Sequence, residues 1–259
     1  MARLIAEKYA AWELSCSLRF DTLKANETEL NQIFRDIYDL PELPVQVEDR
    51  AVSVRKAHLQ REIKSLISYA VGTLFGRYSL DVPGIAYAGG TWYPQRYITI
   101  QPVEDNFLLL SEEAQPSDAA SLFFHWVQRV YGEETLEENL AFIAYALEGE
   151  GTPREIIRRY FFREFYGDHL KIYQKRPIYW QLDSGKKGEF RGLFYIHRYR
   201  PDLLKAILEN YVPPRPASRE LEQFTEKLGL LARQQTQLDL DDGIRANYEK
   251  FPGVLTPIR

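Results

Sequence analysis

The chain's single cysteine, Cys16, excludes an internal disulfide and any zinc site built on several thiolates. Its four histidines, His58, His125, His169 and His197, are far apart. None has a second histidine within helical or hairpin reach, so a clustered metal site is not expected. No apolar run approaches the length of a membrane span. Met1-Ala2-Arg3 leads into a mixed stretch with Glu7, Lys8 and Glu13, which is not an export signal, and the expected location is the cytoplasm. Phosphate cradles of the glycine-rich kind are missing too. Gly185-Lys186-Lys187-Gly188 lacks both the spacing and a following helix, and Ala88-Gly89-Gly90-Thr91 reads as a turn. No Gly-x-Ser-x-Gly elbow is present to position a nucleophile.

What is present is an ordinary globular composition, 45% hydrophobic and 27% charged, with an excess of aromatics at 14%. The net charge of −4 hides an asymmetry. Residues 152–200 hold twelve Lys/Arg against five Asp/Glu, a local +7, which leaves −11 on the rest. A phosphate backbone responds to the local field rather than to the total.

Periodicity predicts a mainly helical α+β fold, with a β-hairpin near 177–199 and a small irregular β insert near 79–110. The first helix is expected over 2–24. A second follows, opened by the capping-box variant Asn26-Glu27-Thr28-Glu29 and stopped by Pro41 and Pro44. A long helix over 53–78 would place Gly72 and Gly76 on one face, open to a packing element. The insert contains two β-like runs, 97–100 and 107–110. Helices over 117–131 and 135–147 come next, the latter with a capping box at Thr135 and Glu138. Thr152-Pro153-Arg154-Glu155 is a stronger helix start. The second hairpin strand carries Leu193-Phe194-Tyr195-Ile196 without alternation, which implies burial on both faces. Ser218 caps the last long helix, whose seam is Leu221, Phe224, Leu228 and Leu231. A soft division falls near 112–117, giving 1–112 (helical, with the insert) and 113–259 (helical, with the hairpin).

Two motifs fail on inspection. Asp239-Leu240-Asp241-Asp242-Gly243 has the start of a calcium loop, but its twelfth position is Lys250 rather than Glu. Glu62-Ile63-Lys64 has three letters of a nuclease motif, but on a helix and without a partner carboxylate. The cluster Arg55, Lys56, Arg61 and Lys64 reads as a solvated helix face.

The basic, aromatic hairpin region survives as the candidate site. Lys171, Lys175, Arg176, Lys186, Lys187, Arg191, His197, Arg198 and Arg200 are interleaved with Tyr173, Tyr179, Trp180, Tyr195 and Tyr199. Lys and Arg bind phosphates by charge, and Arg also reads guanine edges. In this reading Lys186, Lys187 and Arg191 hold phosphate, Lys175, Arg176 and Arg198 flank them, and Tyr179 or Trp180 stacks on a base. The same residues also fit a hairpin whose aromatics are core and whose charges face solvent.

Four blocks carry a family likeness: Leu23 to Phe34; Ile63 to Gly72, continuing into Phe75-Gly76-Arg77-Tyr78-Ser79-Leu80-Asp81; Lys175 to Trp180 with Asp183-Ser184-Gly185-Lys186 and Tyr195-Ile196-His197-Arg198-Tyr199; and Leu240 to Tyr248. They resemble the C-terminal region of PglX-type adenine-specific DNA methyltransferases of BREX phage-defence systems. The resemblance implies double-stranded DNA as a partner. It also implies S-adenosylmethionine as cofactor, expected only in a methyltransferase core outside this chain. The family's Asn/Asp-Pro-Pro-aromatic signature is not matched by Pro213-Pro214, which follows Tyr211-Val212 and precedes Arg215. The implied role is therefore a non-catalytic, DNA-binding and specificity-supporting part, with no membrane association. The alternative is a scaffolding module that docks the methyltransferase core or another defence-system protein. Three features favour it: the acidic remainder, the Leu221 to Leu231 seam and the Gly72/Gly76 face.

Overall fold

The computed structural model describes residues 4–185 and 188–235 together with Leu255–Thr256. Helices dominate and surround one small antiparallel sheet, so the fold is α+β and mainly helical, as the periodicity predicts. The helices are α1 (Ile5–Ile37), α2 (Leu59–Leu74), α3 (Ala119–Tyr131), α4 (Leu136–Leu147), α5 (Pro153–Arg163), α6 (Phe165–Ile172), α7 (Leu203–Asn210) and α8 (Arg219–Gln235). The strands are β1 (Phe107–Leu110), β2 (Tyr179–Asp183), β3 (Arg191–Tyr195) and β4 (Leu255–Thr256), in the spatial order β1-β3-β2-β4. No described helix is long and apolar enough to cross a membrane.

The expected hairpin is present as β2 and β3, with Tyr179 opposite Tyr195 and Asp183 opposite Arg191. β1 pairs with the other side of β3, Phe107 opposite Phe194, so chain from both sides of residue 112 enters one sheet. Successive strand residues point to opposite faces. One face sends Leu108, Leu110, Tyr179, Leu193 and Tyr195 into the larger core, with α2 to α6. The other sends Phe107, Leu109, Leu182 and Phe194 into a second core under α7 and α8. Burial on both sides is why β3 shows no polar alternation. Leu221, Phe224, Leu228 and Leu231 are all buried in that second core, so the seam that suggested a docking surface is internal.

Local signals hold where their partners are close in sequence. Thr152 and Glu155 form the full capping box of α5. Ser218 accepts the backbone N–H of Leu221 at the start of α8, at 3.2 Å. Elsewhere the expectations are corrected. α1 runs unbroken through Asn26, because no Pro or Gly interrupts its ladder and the other residues cost only fractions of a kcal/mol each. α2 is shorter than expected and ends at Leu74. Gly76 takes a left-handed conformation (φ 76°) and the Tyr78 N–H returns to the Gly72 carbonyl, a helix stop that is also closely packed, since a Cβ on Gly76 would lie 2.5 Å from the Trp92 ring of the insert. A Cβ on Gly72 would lie 2.4 Å from the Tyr78 ring, so the close approach it permits is internal.

Residues 97–100 are not a strand. The Asp81 carboxylate takes the backbone N–H groups of Ile98 and Thr99, at 2.7 and 2.9 Å, which removes the donors a ladder would need. Thr135 does not cap α4; its hydroxyl donates back to the Tyr131 carbonyl.

Candidate nucleic-acid interface

The local +7 does not form one basic face. Arg154, Arg158 and Arg163 pair with Glu137, Asp118 and Glu112, acids contributed from outside residues 152–200. Lys171 pairs with Asp168, Arg191 with Asp183 and Arg200 with Asp202. Lys64, read as part of a solvated face, instead makes a 2.7 Å bridge to Asp168 with only 20% of its side chain exposed. This joins α2 to α6.

Several candidate residues have structural duties. Tyr179 is 2% exposed and packs against His169 and Phe75, so it offers no face to a base. Trp180 is half-buried against Phe194 at the second core. Arg191 bonds Asp183 across the strand pair at 2.8 Å, donates to the Phe162 carbonyl and covers the Phe162 ring. Arg198 donates to the carbonyl oxygens of Phe75, Val103 and Glu104, at 3.1, 3.0 and 3.4 Å. It therefore ties the end of α2 and the insert to the segment after β3. Burial pulls its pKa below the ordinary arginine range. Lys186 and Lys187 lie outside the described residues, as does the acidic stretch 239–250.

Arg198 and Arg200 also line a cleft of about 490 Å³ with Tyr87, Trp92, Tyr97 and Gln101. Its aromatics are not free platforms. Trp92 is stacked on Tyr97, ring centroids 4.7 Å apart, with the Arg198 guanidinium 4.4 Å from its ring.

Two exposed cations, Lys175 and Arg176, stand at the open end of the hairpin. The Ile196 N–H bonds the Ile178 carbonyl at 3.0 Å, continuing the β2–β3 pairing past Tyr179 and Tyr195. The α6–β2 loop therefore lies beside residues 196–200. Lys175 and Arg176 are exposed there and make no ion pair among the described residues. Arg77, just past the end of α2, joins them. Its Nε–H and Nη1–H donate to the hydroxyls of Tyr78 and Tyr195, each at 3.2 Å. The Tyr195 hydroxyl passes a hydrogen bond on to the Tyr87 carbonyl at 2.9 Å. The His197 ring stands 5.2 Å from that of Tyr195. Partial burial, and then the charge of Arg77, hold His197 below the usual histidine pKa, so it is neutral near pH 7.

Beneath this end lies His169, 2% exposed, whose Nε2 accepts the N–H groups of Ile178 and Tyr179 at 3.2 Å each. It fixes the loop that carries Lys175 and Arg176. Arg77 escaped the sequence reading because it stands alone in a neutral, aromatic stretch. Its only signal was its place between a helix-ending glycine and a tyrosine.

No family model matches the chain. It is 38% identical, over 97% of its length, to the adenine-specific methyltransferase PglX of Lacticaseibacillus casei strain Zhang. Over 78% of its length it is 34% identical to the adenine-specific methyltransferase BrxX of Escherichia coli O9:H4 strain HS. The matches cover 24% and 21% of those proteins, so the chain spans about a quarter of their length.

Proposed function

Because this chain corresponds to the C-terminal part of the PglX/BrxX adenine-specific methyltransferases, we propose that it is a non-catalytic, DNA-binding and specificity-supporting part of such an enzyme. It would act in the cytoplasm, in phage defence of the BREX type. The observation that carries this reading is the open end of the hairpin. Lys175, Arg176 and Arg77 lie together there without a carboxylate among the described residues. Unpaired cations on a surface attract phosphate and release its counterions. Lys186 and Lys187 belong to the same proposed contact set, with Lys171 and Arg200 at its margin as weaker, already paired cations.

In this reading S-adenosylmethionine and the methyl-transfer step belong to the remainder of the enzyme. Polarisation of a labelled DNA duplex across a salt series tests the first half. Affinity is expected to fall steeply with salt, and the absence of any salt-sensitive binding sinks it. Labelled S-adenosylmethionine with DNA tests the second half, where turnover by this chain alone overturns "non-catalytic".

A second reading has its own observation. The distal half of α1 exposes Leu30, Ile33, Phe34 and Ile37 in one row, Leu30 at 52% and Ile37 at 67%. Such a row fits a module that docks the methyltransferase core or another defence-system protein. A pull-down with the remaining methyltransferase polypeptide tests it, and no association removes it.

A further inference from the structure

Six arginines are at least half-buried among the described residues: Arg35, Arg77, Arg96, Arg158, Arg191 and Arg198. Five of them reach a carboxylate or a backbone carbonyl. Arg35 meets Asp36, Arg158 meets Asp118 and Arg191 meets Asp183. Arg96 donates to the Ala86 carbonyl and Arg198 to three carbonyls. Arg77 has neither. Its partners are the phenol oxygens of Tyr78 and Tyr195, neither of them a carboxylate.

The rest of its geometry fits a receptor waiting for an anion. The left-handed Gly76 ends α2 and delivers Arg77 to the open end of the hairpin. The Arg77 carbonyl accepts the N–H groups of Ala86 and Tyr87, at 2.8 and 3.3 Å, so its backbone is held. A guanidinium has five N–H donors in a fixed fork. Two are used inside the protein, none of its nitrogens is a buried, unpartnered atom, and the side chain is part-exposed. The Tyr78 hydroxyl accepts from Arg77 and is itself in hydrogen-bond contact with the Tyr173 side chain. Tyr173, whose carbonyl takes the Arg176 N–H at 2.8 Å, brings the exposed Lys175–Arg176 loop alongside. A positive charge set partly below the surface, beside aromatic rings and with no carboxylate partner among the described residues, concentrates its field outward.

We propose that Arg77 is a phosphate-binding point that takes one phosphodiester of a nucleic-acid backbone. This rests on the DNA-binding reading above and names the residue at its centre. The fork geometry suits two phosphate oxygens at once, which a lysine ammonium does not reproduce.

The test uses the whole chain, a labelled duplex and, separately, inorganic phosphate. For Arg77→Gln the duplex affinity should fall about tenfold or more. The slope of log affinity against log salt should shrink by about 0.9, one phosphate's worth. Arg77→Lys should keep the slope and lose affinity several-fold, and it serves where Arg77→Gln does not fold. If wild type binds DNA and both variants match it in affinity and slope, the site is wrong while the DNA-binding reading stands. If wild type binds no DNA, that reading is lost and inorganic phosphate decides the site. A melting temperature raised by phosphate in wild type but not in Arg77→Gln supports a phosphate point used by another ligand. Equal response in both overturns it.

Discussion

The Arg198 guanidinium lies 4.4 Å from the centre of the Trp92 ring while donating to the carbonyls of Phe75 and Val103. One side chain thus joins the end of α2, the irregular insert and the segment after β3. Arg198→Ala removes three acceptors' partner and the cover of Trp92 together. The expected cost is about 2 kcal/mol or more in urea unfolding, a stability effect rather than a binding one. A variant as stable as wild type, with DNA affinity alone reduced, would put Arg198 back among the contact residues.

Asp118 and Arg158 form the most deeply buried ion pair described, 2.9 Å apart with side chains 1% and 9% exposed. Asp118 also caps α3, taking the N–H of Ser121 at 2.7 Å. Breaking such a pair leaves a charge in the interior, so Arg158→Met should cost about 3–5 kcal/mol. The double change to Asp118→Asn with Arg158→Met should recover part of that loss. Additive losses in the unfolding midpoints would show that the two residues act independently.

These cases explain what could be read from the chain and what could not. The Thr152 box and the Ser218 cap need only residues three apart, and both were legible. The two-sided burial of β3 was legible as well, since an apolar run without polar alternation leaves neither face of a strand for solvent. The +7 of residues 152–200 misled because its neutralising acids, Glu112, Asp118 and Glu137, stand far back in sequence. The break at 97–100 depends on Asp81, some seventeen residues earlier. Arg77 was invisible for a different reason. What distinguishes it is a missing neighbour, and absence of a contact leaves no trace in local pattern.

His169 sets the pH limit of the open end. Burial, and then the Arg77 charge, lower its pKa to about 4 from an ordinary 6.5. Its Nε2 must stay unprotonated to accept two backbone N–H groups. A depressed folded-state pKa means the unfolded chain binds the extra proton first. The stability it contributes is whole above pH 6.5 and is lost as pH falls from 6.5 towards 4, up to about 3 kcal/mol. His169→Gln keeps an acceptor without titrating. Urea midpoints at pH 7 and pH 4.5 should therefore drop further in wild type than in this variant, and equal drops would refute the assignment.

Gly192 sits in β3 directly beneath Phe107. A Cβ at 192 would fall 1.9 Å from the Phe107 ring, which itself packs on Phe190 and Tyr211. Gly192→Ala must therefore push that ring into the second core, at an expected cost of about 1–3 kcal/mol. Gly192→Ala with Phe107→Leu should relieve the clash. A single variant that melts like wild type would show the second core to be looser than its contacts imply.

The loop before β2 stores backbone strain where the proposed phosphate contacts project. Gln174 and Lys175 are both left-handed, at φ 50° and 63°, a conformation that costs a non-glycine residue about 1–2 kcal/mol. The Lys175 N–H to the Leu170 carbonyl, at 2.8 Å, and the His169 bonds to Ile178 and Tyr179 hold the chain there. Strain kept by such over-determination is expected at working sites rather than at idle ones. Lys175→Gly separates the two contributions. It should stabilise the fold by about 0.5–1 kcal/mol, because glycine adopts this conformation freely. It should also weaken duplex binding and reduce the salt slope by about 0.9, because a phosphate contact is gone. Stability rising while binding falls is the signature of a residue retained for its charge despite its backbone. If binding is unchanged, the strain belongs to the turn alone and Lys175 leaves the contact set.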